Sequence, residues 1–322
     1  MSTARIPASA PTSSWPPLDY NQWRDTAVTL QLWTQIVGKI RLAQTPWLNH
    51  SWHVALYVTA RGLTTSPIDF GNAQVEIAFD FIDHRLRITT SAGDSCEIPL
   101  EPQSVATFYT RVMAALSELG RPVSIDTMPN EVENPIPFPE DEAHVAYDAE
   151  AAHRFWRALV QADRVFKAFR TAFVGKCSPV HFFWGSFDLA VTRFSGRPAP
   201  LHPGGVPHLP DAVAQEAYSH EVSSAGFWPG SDAYPHAAFY SYAYPEPPGF
   251  REQPVRPAGA AFNPTLGEFI LPYDVVQGDS SPDEALMSFL QSTYAAAATT
   301  AEWDSTLECS PGLPRRARVV RG

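Results

Sequence analysis

The sequence predicts an α+β fold of two similar helix-strands-helix halves with antiparallel sheets, the second half carrying a His- and aromatic-rich insert. Three observations lead there. Apolar residues recur at three- and four-residue steps in separate long stretches, the spacing of one buried helical face. Between these lie alternating, β-branched or aromatic stretches bounded by Gly, Asp and Ser turns. A proline- and acid-rich run, 127–147, parts the chain near its middle.

Residues 1–17 are rich in Ser, Pro and Ala and are expected to be disordered. The N-terminal α+β half follows over 18–126. Leu30, Trp33, Val37 and Ile40 set the face of a helix running from Asp19 to Gln44, which Pro46 ends. WHVALYVTARGL, VEIAFDFIDHRLRITTS and SCEIPL then read as an antiparallel meander. A second helix over 104–119 places Val105, Phe108, Val112, Leu116 and Leu119 on one face.

The run 127–147 has no periodicity and reads as a linker or an extended strap. The C-terminal half spans 148–305, and Asp148 is placed to cap a long helix reaching Phe173. HFFWGSFDLAVTRFSGR, HAAFYSYAYPEP and GEFILPYDVV read as strands. Ser281-Pro282-Asp283-Glu284 then opens a final helix with a cap, a first-turn proline and acids at the positive end. Residues 306–322 are expected to form a flexible tail. Pairing Trp33 with Trp156, Trp52 with Trp184 and Glu97 with Glu268 suggests an internal duplication interrupted by an insert at about 195–235. The alternative is two unrelated α+β layers whose aromatic strands look alike.

The 322 residues are 44% apolar and 18% charged, which fits a packed globular protein and excludes global disorder. A formal charge of -11 would repel a phosphate backbone, so nucleic acid is not an expected partner. No run approaches the roughly 20 apolar residues of a membrane helix, and no apolar leader opens the chain. The expectation is therefore no membrane association and a cytoplasmic location. Cys96, Cys177 and Cys309 are odd in number and far apart, as reduced thiols rather than a disulfide framework would be.

Chemistry is expected in the insert, because a long ordered loop in a compact protein is more often functional than decorative. His181, His202, His208, His220 and His236 cluster around it. A short helix near 211–221 would set Glu216 and His220 on one face, with His202 and His208 closing the site from the loop. Such imidazole and carboxylate ligands suit a transition metal, zinc, iron, copper or manganese, although the same residues also read as ordinary loop side chains. Glu221 is a candidate general base. Asp188 interrupts an apolar strand, where an unpaired charge is expensive, and Arg193 would be its partner or a fork for an anionic substrate. Trp184, Tyr218, Trp228, Tyr240 and Tyr242 either line a pocket for a flat or apolar ligand or form a plain aromatic core. No dinucleotide, Walker, nucleophile-elbow or EF-hand motif occurs.

NPIPF, SPVHFFWGSFDLAVTRFSGRPAP, EAYSHEVSSAGFWPG and SPDEALMSFLQSTYAAAA together resemble an uncharacterised bacterial family, domain of unknown function five-nine-nine-six, over about residues 15–305. The resemblance implies a bacterial single-chain protein and carries neither an activity nor a residue role. Two functions therefore compete. One is an enzyme acting on a small-molecule ligand, metal-dependent in its sharper form and oxidative or hydrolytic. The other is a non-catalytic ligand-binding or assembly module whose aromatic insert packs on a partner.

Overall fold

The computed structural model describes residues 14–310. The expected disorder over 1–13 and the flexible tail over 311–322 lie outside the described residues. Inside them, both edges of the chain are tied down more closely than composition suggests. Trp15 is 1% exposed and meets the rings of Phe239 and Tyr273, since an indole's apolar area outweighs the pull of its small polar neighbours. At the other end, Val174 N–H donates to the Leu307 carbonyl at 2.7 Å and Cys309 N–H to that of Ala172 at 3.0 Å.

Each long helix forms where apolar periodicity meets a start signal. Asp19 accepts from Asn21 N–H to open α1 (Tyr20–Gln44), Ser104 from Thr107 N–H to open α2 (Val105–Glu118), and Asp148 from Ala151 N–H to open α3 (Ala149–Arg170). Two short helices follow, α4 (Asp211–Ala217) and α5 (Tyr273–Gln277). The last, α6 (Pro282–Thr300), begins after Ser281, whose side chain makes no capping bond; the first-turn proline and two acids mark the start instead.

The first sheet comprises β1 (Tyr57–Val58), β2 (Gly62–Thr64), β3 (Ile68–Asp69), β4 (Gln74–Asp80), β5 (Arg85–Thr90) and β6 (Ser95–Pro99). Its order is β1-β2-β4-β5-β6, with β3 also paired to β4. WHVALYVTARGL is thus not one strand: a 3-10 turn at Asn49–Ser51 precedes a tight β1-β2 hairpin. The second sheet comprises β7 (His181–Phe183), β8 (Asp188–Pro198), β9 (His220–Trp228), β10 (Ala238–Tyr244), β11 (Ala261–Asn263) and β12 (Glu268–Pro272), in the order β11-β12-β10-β9-β8-β7. All pairs in both sheets are antiparallel. The first sheet branches and the second does not.

β9 lies where a loop-like insert was expected. Ser223, Ser224, Ala225 and Gly226 are poor strand formers, yet β8 and β10 flank them and pair with their backbone groups, so tertiary pairing overrides local preference. Apart from α4, 199–210, 218–219 and 229–237 of that region remain irregular.

The halves share one core. Trp23 of α1 meets Phe155 of α3 with ring centroids 5.0 Å apart, and Trp33 stacks on Phe108 of α2 at 4.5 Å. Leu56 and Phe182 exchange both backbone hydrogen bonds, at 2.8 and 2.7 Å, stitching the β1 region to β7 across the halves. Along β8, period-two alternation sends Arg193 toward α3 and α6, while Asp188, Ala190, Thr192 and Phe194 face away from the helices. No described helix is long and apolar enough to cross a membrane.

Candidate functional site

The outward face of the second sheet floors a cleft of about 830 Å³. This is the size range of small-molecule sites. Its walls come from α1, the 3-10 turn at Asn49–Ser51, the 127–147 run and the 199–217 region. Strand alternation sorts the aromatic residues. Tyr240, Tyr242 and Trp228 face the cleft, whereas Phe227 and Phe239, one residue out of phase, are fully buried on the helix side.

Four carboxyl groups border this cleft: Asp126, which pairs with Lys39 at 3.3 Å, and three that concern the floor and the strap, Asp188, Glu131 and Glu268. Asp188 is 6% exposed and accepts hydrogen bonds from the Ser186 hydroxyl at 2.5 Å and from the Tyr240 hydroxyl. Gly226 makes the second contact possible. Tyr240 on β10 reaches Asp188 on β8 by crossing β9 at Gly226, where any Cβ would lie 2.3 Å from the phenol ring. Burial pushes the Asp188 carboxyl up despite these donors.

Glu131 arrives from the 127–147 run, which is a strap rather than a free linker. Gln35 of α1 grips Asn130 at both its backbone groups, at 2.9 and 2.8 Å, and Glu131 N–H donates to the Pro207 carbonyl at 2.9 Å. The Glu131 side chain lies over Gly185, where a Cβ would meet Oε1 at 2.0 Å. Gln31 fixes that turn by donating to the Gly185 carbonyl at 2.6 Å. Burial, and then the charge of Asp188, pushes both Glu131 and Glu268 up to about 7. Among the described residues, none of the three carboxyls forms an ion pair with Lys, Arg or His.

Two histidines outside the expected ligand set border the same space, His181, which belongs to the histidine cluster seen in sequence, and His50. His181 is 1% exposed, and neither ring nitrogen has a hydrogen-bond partner among the described residues. Burial, and to a lesser degree Arg41 and Arg170, holds it down to about 3, so the ring is neutral. His50 is fully engaged: Nδ1 faces the Glu216 and Ala217 carbonyls at 3.2 Å, and Nε2 meets the Lys176 ammonium at 2.5 Å. That network assigns the proton to Nδ1. Burial and Lys176 hold its pKa below the ordinary imidazole value.

The nominated residues scatter. Asp188 and His208 border the cleft. Arg193 is not the partner of Asp188: five residues apart on one strand, they point to opposite faces, and Arg193 packs its guanidinium on Phe169 and Tyr294 with centroid distances of 3.5 and 4.3 Å. Glu221 is taken by Arg197, at 2.9 and 2.7 Å, instead of standing ready as a base. The proposed metal ligands do not gather. The helix ends at Ala217, so Glu216 and His220 share no helical face; His220 starts β9, and Glu216 accepts from His50 N–H at 2.5 Å. His202 stacks on Tyr218 at 4.6 Å, and His208 is exposed. No group of three or more His, Cys, Asp or Glu among the described residues is placed to hold a metal ion. Glu131 and Glu268 carried no signal in sequence beyond residue type, and His181 only its place in the histidine cluster, because elements distant in the chain bring them together.

No curated protein and no solved structure matches the chain. A family model does, over residues 15–309, which takes in both sheets, the strap and the cleft carboxyls. The chain belongs to the family of unknown function DUF5996.

Proposed function

We propose that the chain is a small-molecule enzyme working by proton transfer in the aromatic cleft, with Glu131 and Glu268 as its acid and base groups and Asp188 as the buried third carboxyl beside them. One observation carries this reading: two carboxyls pushed up to about 7 lie beside a third, buried one in a cleft of about 830 Å³. A carboxyl with a pKa near the ambient pH can both give and take a proton, and burial with the nearby Asp188 puts both glutamates in that range. Hydrolytic or isomerising chemistry follows from such a pair. An internal duplication belongs to the same proposal, supported by the recurring helix-sheet-helix order.

The test is untargeted turnover. The purified chain is incubated with a small-molecule extract and followed by mass spectrometry against the Glu131→Gln and Glu268→Gln chains. At least one compound should be consumed, with an inflection in rate near pH 7 and a loss of about 10²- to 10⁴-fold in each variant. Consumption that is equal in all three chains would sink the assignment. Binding without turnover would make the cleft a non-catalytic receptor site.

A further inference from the structure

Resting on the reading of this cleft as the small-molecule site, we infer that its ligand is an organic cation, a primary or secondary ammonium that presents N–H donors to Asp188, Glu131 and Glu268. Charge balance is the first argument. These three carboxyls have no cationic partner among the described residues, so within the chain only protonation and hydrogen bonds relieve their burial, and a bound cation would bring the counter-charge that the protein does not supply. The bordering amine, Lys39, is committed elsewhere, donating to the Met128 carbonyl at 2.5 Å and to Asp126 at 3.3 Å. His50 is neutral with both nitrogens engaged, so it supplies no counter-charge.

His181 is the second, independent argument. A 1% exposed imidazole with no partner at either nitrogen leaves a strong acceptor unmet on the cleft floor. An ammonium N–H satisfies it; a quaternary ammonium, which has no N–H, does not. Around these polar groups, the faces of Trp228, Tyr240 and Tyr242 offer a wall for hydrocarbon and a cation-attracting surface. An anion would meet a rim of carboxyls, and a neutral alcohol would bring no counter-charge to them.

Calorimetric titration of the full chain at pH 7.5 decides the matter, with 2-phenylethylammonium, its neutral counterpart 2-phenylethanol and the anion 3-phenylpropionate as probes. The ammonium should bind at least tenfold more tightly than the alcohol, and the anion more weakly still. Asp188→Asn should cost the ammonium about tenfold in affinity and leave the alcohol unchanged. Glu268→Gln, at a less buried carboxyl, repeats the test if Asp188→Asn unfolds. If the alcohol or the anion equals the ammonium, the cation inference falls while the cleft stands as a small-molecule site. If none of the three binds, both readings fall.

Discussion

At the scale of single residues, the site is a set of groups held away from their ordinary protonation. Glu268 moves from 4.5 to about 7, which makes folding depend on pH in a definite direction. Below 4.5 the carboxyl is protonated in both the folded and the unfolded chain, and it costs nothing. Between 4.5 and about 7 the unfolded chain releases its proton while the folded chain retains it, so stability falls as pH rises and then levels off. Glu268→Gln should therefore stabilise the fold by about 1–2 kcal/mol at pH 8, after allowance for partial solvent screening, and leave it unchanged at pH 4. Thermal melts at the two pH values measure this; equal melting temperatures at pH 8 would contradict the shift. Asp188 was legible in sequence because a charge inside FFWGSFDLAV has to be accounted for. Its partners were not, since Tyr240 arrives from two strands away.

At the scale of elements, periodicity disclosed the helices and concealed the middle of the second sheet. α1, α2 and α3 begin beside the expected starts because the caps and the apolar faces agree, and α6 begins at its proline without a capping bond from Ser281. β9 escaped because its small residues carry little local preference, and the histidine-glutamate spacing lost its meaning once the helix ended at Ala217. Close approach between elements yields a sharper prediction at Gly38 of α1, where an added Cβ would sit 2.2 Å from the Trp184 indole. Alanine is the better helix former by about 1 kcal/mol, but overpacking costs about 1–3 kcal/mol, so packing should win. Gly38→Ala is expected to lower stability by about 1 kcal/mol in urea titrations. A more stable variant would mean that Trp184 can swing aside, away from the Val54 carbonyl it bonds at 2.9 Å.

At the scale of the whole molecule, an α+β fold with antiparallel sheets was legible and the shared core was not, because the contacts that build it link residues far apart in sequence. The Leu56-Phe182 backbone pair and the ring contacts between α1 and α3 make one core of both halves. Urea unfolding should accordingly give a single transition, with tryptophan fluorescence and far-UV circular dichroism coincident; two separated transitions would show that the halves fold independently. The strap has a further consequence, in evolutionary terms. Surface segments of such composition commonly absorb insertions and deletions. This one is clamped by Gln35 at Asn130 and by Pro207 at Glu131, and it lays a carboxylate over Gly185. A gain or loss of one residue there would shift Glu131 along the cleft, so the segment that looks most dispensable in the sequence is one whose length the site constrains.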